Sequence, residues 1–149
     1  MNLSRAVDNL LKESKLPELL LPFQEELIRI LHIAEEDLDE EILLLPRIGF
    51  VLYSKFSEIE GELRKAQGEI EGFSAKTYLA LKEKYGKSAT EGMIRSLTIL
   101  EPEFQTLHEA ESKLLDAEAA MTRFCKLIDL KRSMLEQCSI NRRKEGVDF

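Results

Sequence analysis

Tryptophan is absent from the 149 residues, and cysteine occurs only twice, proline four times and glycine seven times. So few turn formers exclude a loop-rich or many-stranded fold, and two cysteines exclude a disulfide framework. Cys125 and Cys138 read instead as reduced thiols of a cytosol-like compartment. No apolar run approaches the roughly 18 residues that a membrane-spanning helix needs. The opening MNLSRAVDNLLKES has no apolar stretch of the kind a secretory signal carries. Period-2 runs of β-branched residues are missing too, so no strands are expected. What the chain does have is charge (33%) and apolar residues (44%), enough to bury a core. High charge with few breakers predicts an all-α protein of long, solvent-washed helices.

The net charge is −7, which by itself argues against a polyanionic partner. Its distribution changes that reading. Residues 1–45 hold four basic and eleven acidic residues, and the remainder holds 17 of each, so all the net charge sits in the first third. Residues 76–98 carry a local +3 and residues 119–145 a local +4. Taken singly, most of these charges read as solvated helix faces.

Periodicity organises the chain. A short helix is expected over 4–14 with Ser4 as N-cap, and a second from Pro22 to Ile33 with Phe23, Leu27, Ile30, Leu31 and Ala34 on one face. The acidic run 35–41 follows, with Asp37 and Glu40 spaced as a capping box. A long helix then carries a heptad seam, Leu45, Gly49, Leu52, Phe56, Ile59, Leu63, Ala66, Ile70, Phe73, Thr77 and Ala80. Pro46 is expected to kink or interrupt its start. Gly61, Gly68 and Gly72 each weaken it by about 1 kcal/mol, which suggests close approach of another helix or a stem that relies on packing. Gly86 is placed to end it in a left-handed cap, Thr90 to cap a short helix, and Pro102 to open the last one.

The last helix has the cleanest pattern: Leu107, Ala110, Leu114, Ala117, Met121, Phe124, Ile128, Lys131, Leu135 and Cys138. Lys131 is the single charge in that seam, placed to set register or to snorkel outward. Cys138 reads as a small buried apolar group. A helix of about 40 residues spans about 60 Å, too long for a compact globule of this mass. Two such seams predict a long antiparallel hairpin, coiled-coil-like, with short N-terminal helices, whose remaining stripes are hidden on another copy. Leu107, Leu114, Met121, Phe124, Ile128 and Leu135 are the expected oligomerisation positions. The expected organisation is an acidic helical segment over 1–36, an oligomerisation and DNA-binding core over 37–145, and a flexible tail over 146–149.

Catalytic signatures are missing. Gly86-Lys87-Ser88 imitates the end of a P-loop, but Leu81 stands where the motif needs glycine, and a helix precedes it. His32 and His108 lack the Glu-x-x-His spacing of di-iron bundles, because Arg29 and Gln105 stand three residues before them. The cysteines have no partners at zinc spacing, and the acidic run has no pocket-forming sequence around it. The expectation is a non-enzyme without cofactor or metal.

The informative charges are those beside aromatics. Lys82 and Lys84 lie between Tyr78 and Tyr85 near the end of the long stem. Rings stack bases and ammoniums follow phosphates, so this pairing suits single-stranded nucleic acid. One +3 patch binds weakly, and a cluster of copies adds avidity. Solubilising lysines and hairpin-packing tyrosines are the plainer alternative.

At residues 38–145 the chain resembles the UvsY-like recombination mediators of tailed phages. The resemblance is carried by LDEEILLLPRIGFVLYSKFSEIEGELRKAQGEIE, YLALKEK, TEGMIRSLTILEPEF and the CSINRRKE ending, and most of all by LYSKF (52–56) and ALKEK (80–84). It implies an all-helical homo-oligomeric ring in the cytoplasm of the host bacterium. That ring binds single-stranded DNA and helps a RecA-like recombinase displace single-strand-binding protein. It also implies DNA contacts at Lys82 and, by residue type, at Lys84. Charge extends this set to Lys76, Lys87, Arg142, Arg143 and Lys144, and stacking to Tyr78 and Tyr85. The acidic front departs from the family pattern and reads as a contact for the recombinase or the single-strand-binding protein. Two other readings stand beside this one. The first is an acidic helical inhibitor that mimics DNA on a host nucleic-acid-binding protein. The second is a structural coiled-coil adaptor.

Overall fold

The computed structural model describes residues 16–31 and 38–147. The expected helix over 4–14 with its Ser4 cap, together with His32, Ala34 and Asp37, lies outside them. Among the described residues every element is helical. A 3-10 turn at Glu18–Phe23 runs into α1 (Gln24–Leu31), and α2 spans Leu38–Tyr85. After the 3-10 turn Gly86–Ser88 come α3 (Glu91–Leu100) and α4 (Pro102–Val147). With 48 and 46 residues, α2 and α4 each extend about 70 Å at 1.5 Å per residue. None of the described helices is long and apolar enough to cross a membrane.

The breaks fall where local chemistry puts them. Gly86 takes φ +57, a left-handed conformation that costs side-chain-bearing residues about 1–2 kcal/mol. Ser88 Oγ donates to the Tyr85 carbonyl at 2.7 Å, and Ala89 N–H to the Gly86 carbonyl at 3.3 Å, which satisfies the helix end. Thr90 Oγ1 accepts from Met93 N–H at 3.2 Å and caps α3. Pro102 opens α4, where its missing N–H leaves no helical carbonyl without a donor.

Pro46 does not interrupt α2. Leu45 and Leu52, 7% and 0% exposed, anchor the helix on either side of it, and their burial outweighs the roughly 3 kcal/mol a helical proline costs. Glycines 61, 68 and 72 mark no close approach, since a Cβ added at any of them would meet nothing within 4 Å. At the far end α4 continues through Gly146 to Val147, past the expected start of a flexible tail.

The chain forms two compact units, Met1–Ser57 with Ala117–Phe149, and Glu58–Asp116. In the first, Leu20, Leu27, Ile30, Leu45, Leu52, Met121, Phe124, Ile128 and Leu135 are buried. In the second, Leu63, Ala66 and Leu114 cluster, and Ile59, Ala89, Ile94 and Thr98 are buried. The Thr98 hydroxyl donates to the Ile94 carbonyl at 2.8 Å, so this buried polar group is satisfied.

Both seams drift. Burial along α4 passes through 114, 117, 121, 124, 128, 131 and 135, and then Ser139 rather than Cys138 is half-buried. Ala110 is exposed and Glu111 takes the inward place. A helix of 3.6 residues per turn slips against a strict heptad by about 20° each repeat. This slip overturns the expectation of a buried Cys138, which is exposed. On α2 the same slip exposes Ala80 and turns Leu81 and Lys82 partly inward.

Lys131 does not snorkel. Only 1% of it is exposed, and its Nζ lies 2.8 Å from Glu41 Oε2 and donates to the Ile30 carbonyl at 2.9 Å. One ammonium therefore joins α1, α2 and α4 inside the first unit. A second pair, Arg142 with Asp39 at 3.7 Å, is solvent-exposed and contributes little.

Candidate nucleic-acid interface

The aromatic-basic segment belongs wholly to the second unit, at the end of α2, the Gly86 turn and α3. Lys82 Nζ stands 5.9 Å from the Tyr78 ring centroid and Lys84 Nζ 5.3 Å from that of Tyr85, both within cation–π range. The two lysines differ in availability. Lys82 is half-buried and donates to the Ala89 carbonyl at 3.2 Å across the turn, so it braces the α2–α3 connection. Lys84 is exposed, as are Lys76 and Lys87. Tyr78 and Tyr85 are 39% and 36% exposed, enough to present ring surface.

The surroundings sharpen the charge contrast. Residues 76–98 hold five basic and two acidic residues, whereas the rest of this unit holds three basic and ten acidic. A polyanion is therefore drawn to this segment and repelled by the rest of the unit. Lys76 lines a shallow groove with Glu69, Gly72, Phe73, Glu103 and Leu107, where two carboxylates temper its field.

Arg142, Arg143 and Lys144 are exposed near the end of α4 in the first unit, so the nine expected DNA-contact residues fall into two separate sets. The expected oligomerisation positions lie elsewhere than on a free surface. Met121, Phe124, Ile128 and Leu135 are buried in the first unit, Leu114 is buried in the second, and Leu107 is half-buried. Their own chain encloses them, because the α4 stripe packs internally.

No motif in the sequence announces a groove of about 540 Å³ in the second unit. It is lined by Ser74, Tyr78, Glu91, Ile94, Arg95, Thr98, Ile99 and Phe104. Its signal was present in α3, where Ile94 and Thr98 mark the inward stripe and Arg95 and Ile99 the neighbouring one. Phe104 is held by Phe73, at 6.4 Å between centroids, and by His108, stacked at 6.0 Å. His108 Nδ1 lies 3.5 Å from Glu111. No cluster of three or more His, Cys, Asp or Glu side chains able to hold a metal occurs among the described residues.

Burial, then the Asp129 carboxylate, push the Cys125 thiol above its ordinary pKa. That disfavours the reactive thiolate. No protein-family model, curated protein or solved structure matches the chain.

Proposed function

We propose that this protein binds single-stranded DNA and acts as a recombination mediator, helping a RecA-like recombinase onto strands covered by single-strand-binding protein. The observation that carries the proposal is the pairing of Lys82 with Tyr78 and Lys84 with Tyr85, with Lys87 and Arg95 beside them in a unit otherwise acidic. Ammoniums follow phosphates without reading sequence, and exposed rings accept any base face. That is the binding a mediator needs. It must hold single strands reversibly, weaken one protein's grip and favour another's filament through differential affinity. The resemblance through LYSKF and ALKEK points to the same activity.

Self-association belongs to this reading, because a single small patch gains affinity when copies are joined. Within each unit the partners of α2 fall in number along α4, Asp39 with Arg142 and Glu41 with Lys131 in one, Leu63 and Ala66 with Leu114 and Phe73 with Phe104 in the other. This supports an antiparallel course of the two helices. With the seams used internally, the stripe Leu43, Pro46, Phe50 and Tyr53 on α2 is the surface for another copy. Leu43 is 79% and Phe50 74% exposed, at helical spacing on one face.

The test is fluorescence anisotropy of labelled oligo-dT over a range of salt, paired with light-scattering mass. The expected result is salt-sensitive binding by an oligomer. A monomer with no affinity at low salt would sink the reading and shift weight to the acidic front as a protein-binding surface.

A further inference from the structure

We infer that the groove between the end of α2, α3 and the start of α4 accepts an unstacked nucleobase of the bound strand. This rests on the single-stranded DNA reading above and adds a base site to it. The groove combines what a base requires. Ile94, 3% exposed, forms an apolar floor. Tyr78 offers a ring at one wall, and Phe104, fixed by Phe73 and His108, closes another. A ring has two faces, and the Lys82 ammonium attends only one face of Tyr78. The volume of about 540 Å³ lies within the roughly 300–1,000 Å³ of small-ligand sites.

The polar groups distinguish a base from an apolar side chain. Arg95 is exposed at the rim and suits the phosphate that flanks an inserted base. Ser74 and Glu91 also line the groove and supply acceptors for base N–H groups, while the Thr98 hydroxyl is already committed to Ile94. Lys84, in the last turn of α2, and Lys87, in the turn that joins α2 to α3, add charge along the flanking backbone. The two charged side chains of the lining, Arg95 for a backbone phosphate and Glu91 for a base N–H, serve no purpose for an apolar peptide, so the occupant is a nucleotide of a single strand.

The experiment compares two labelled strands of equal length and charge, oligo-dT and a fully abasic oligomer, each with wild-type protein, Tyr78→Leu and Tyr78→Phe. Base–aromatic stacking is worth about 1–3 kcal/mol per base, so the wild type is expected to prefer oligo-dT by about tenfold or more. Tyr78→Leu should remove most of that preference while keeping salt-sensitive binding, and Tyr78→Phe should retain it. Quenching of intrinsic tyrosine fluorescence by oligo-dT but not by the abasic strand gives a second readout, open because the chain has no tryptophan. Equal wild-type affinity for both strands would overturn the base site yet leave DNA binding intact. Preference that survives Tyr78→Leu would place the base elsewhere and overturn it too. Loss of binding to both strands by wild-type protein would remove the base site together with the reading it rests on.

Discussion

Lys131 is the residue on which the first unit turns. A buried ammonium is costly unless it is paired and hydrogen-bonded, and here Glu41 and the Ile30 carbonyl meet it at 2.8 and 2.9 Å. Breaking such a pair from one side costs about 3–5 kcal/mol. Lys131→Met should therefore lower stability by several kcal/mol in urea titrations, and Lys131→Met with Glu41→Gln should lie nearer wild type than the single change. Additive effects would mean the two side chains do not act on each other. The oddity of Lys131 was legible, since it is the one charge in the α4 seam. Its partner was also within reach: Glu41 stands one helical turn before Leu45 on the α2 seam, hidden among the acids of 35–41. Ile30 was not legible, because a backbone acceptor leaves no mark in the sequence. Cys125 makes a smaller prediction. Its folded pKa is raised, so its contribution to stability is present below the ordinary thiol range and is lost as pH rises through and beyond it. Alkylation at pH 8 should label the exposed Cys138 well before Cys125. Equal rates would count against the desolvated setting.

At the scale of elements, the cap at Thr90, the stop at Gly86 and the start at Pro102 follow local chemistry. Thr90→Ala removes the acceptor for Met93 N–H and should cost about 1 kcal/mol. Gly86→Ala must place a Cβ at φ +57 and should also lower the melting temperature. The α2 glycines predict the opposite sign. Gly61→Ala, Gly68→Ala and Gly72→Ala each enter open space, so each should stabilise by up to about 1 kcal/mol. A destabilised Gly68→Ala would reveal a neighbour that approaches this face. Why α2 carries three costly glycines on open faces has no account in its packing. Proline 46 shows where local reasoning stops. Its ring disfavours the helix, but apolar anchors on both sides hold the helix through it.

For the whole molecule, the question is which apolar surface is used inside and which is left over. Ile128 is 1% exposed, so Ile128→Asp should unfold the first unit, seen as loss of helical circular dichroism or a steep fall in melting temperature. Leu43→Asp with Phe50→Asp alters only exposed positions. It should leave the fold intact and reduce the light-scattering mass to that of a monomer. An unchanged oligomer would clear this stripe of the role. For DNA, Lys84→Ala with Lys87→Ala should weaken binding to all sequences and flatten its salt dependence by about one to two counterions. Lys82→Ala should act differently, since its ammonium is held by the Ala89 carbonyl: the turn loosens, and the salt slope changes less.

Local physics settled the helices, the caps at Thr90 and Pro102, the left-handed stop at Gly86 and the existence of two seams. Each depends on residues within a turn or two of one another, and 3.6-residue periodicity is written directly in the order of side chains. Tertiary structure alone decided what covers each stripe. It enclosed the α4 seam within one chain, left Leu43 and Phe50 in solvent, turned Cys138 outward, tied Lys82 to Ala89 and joined Lys131 to Glu41 and Ile30. It also formed the groove of Tyr78, Arg95, Ile99 and Phe104 from three helices. The reason is physical: a stripe's period says only that it is to be buried, whereas the partner that buries it comes from residues far along the chain.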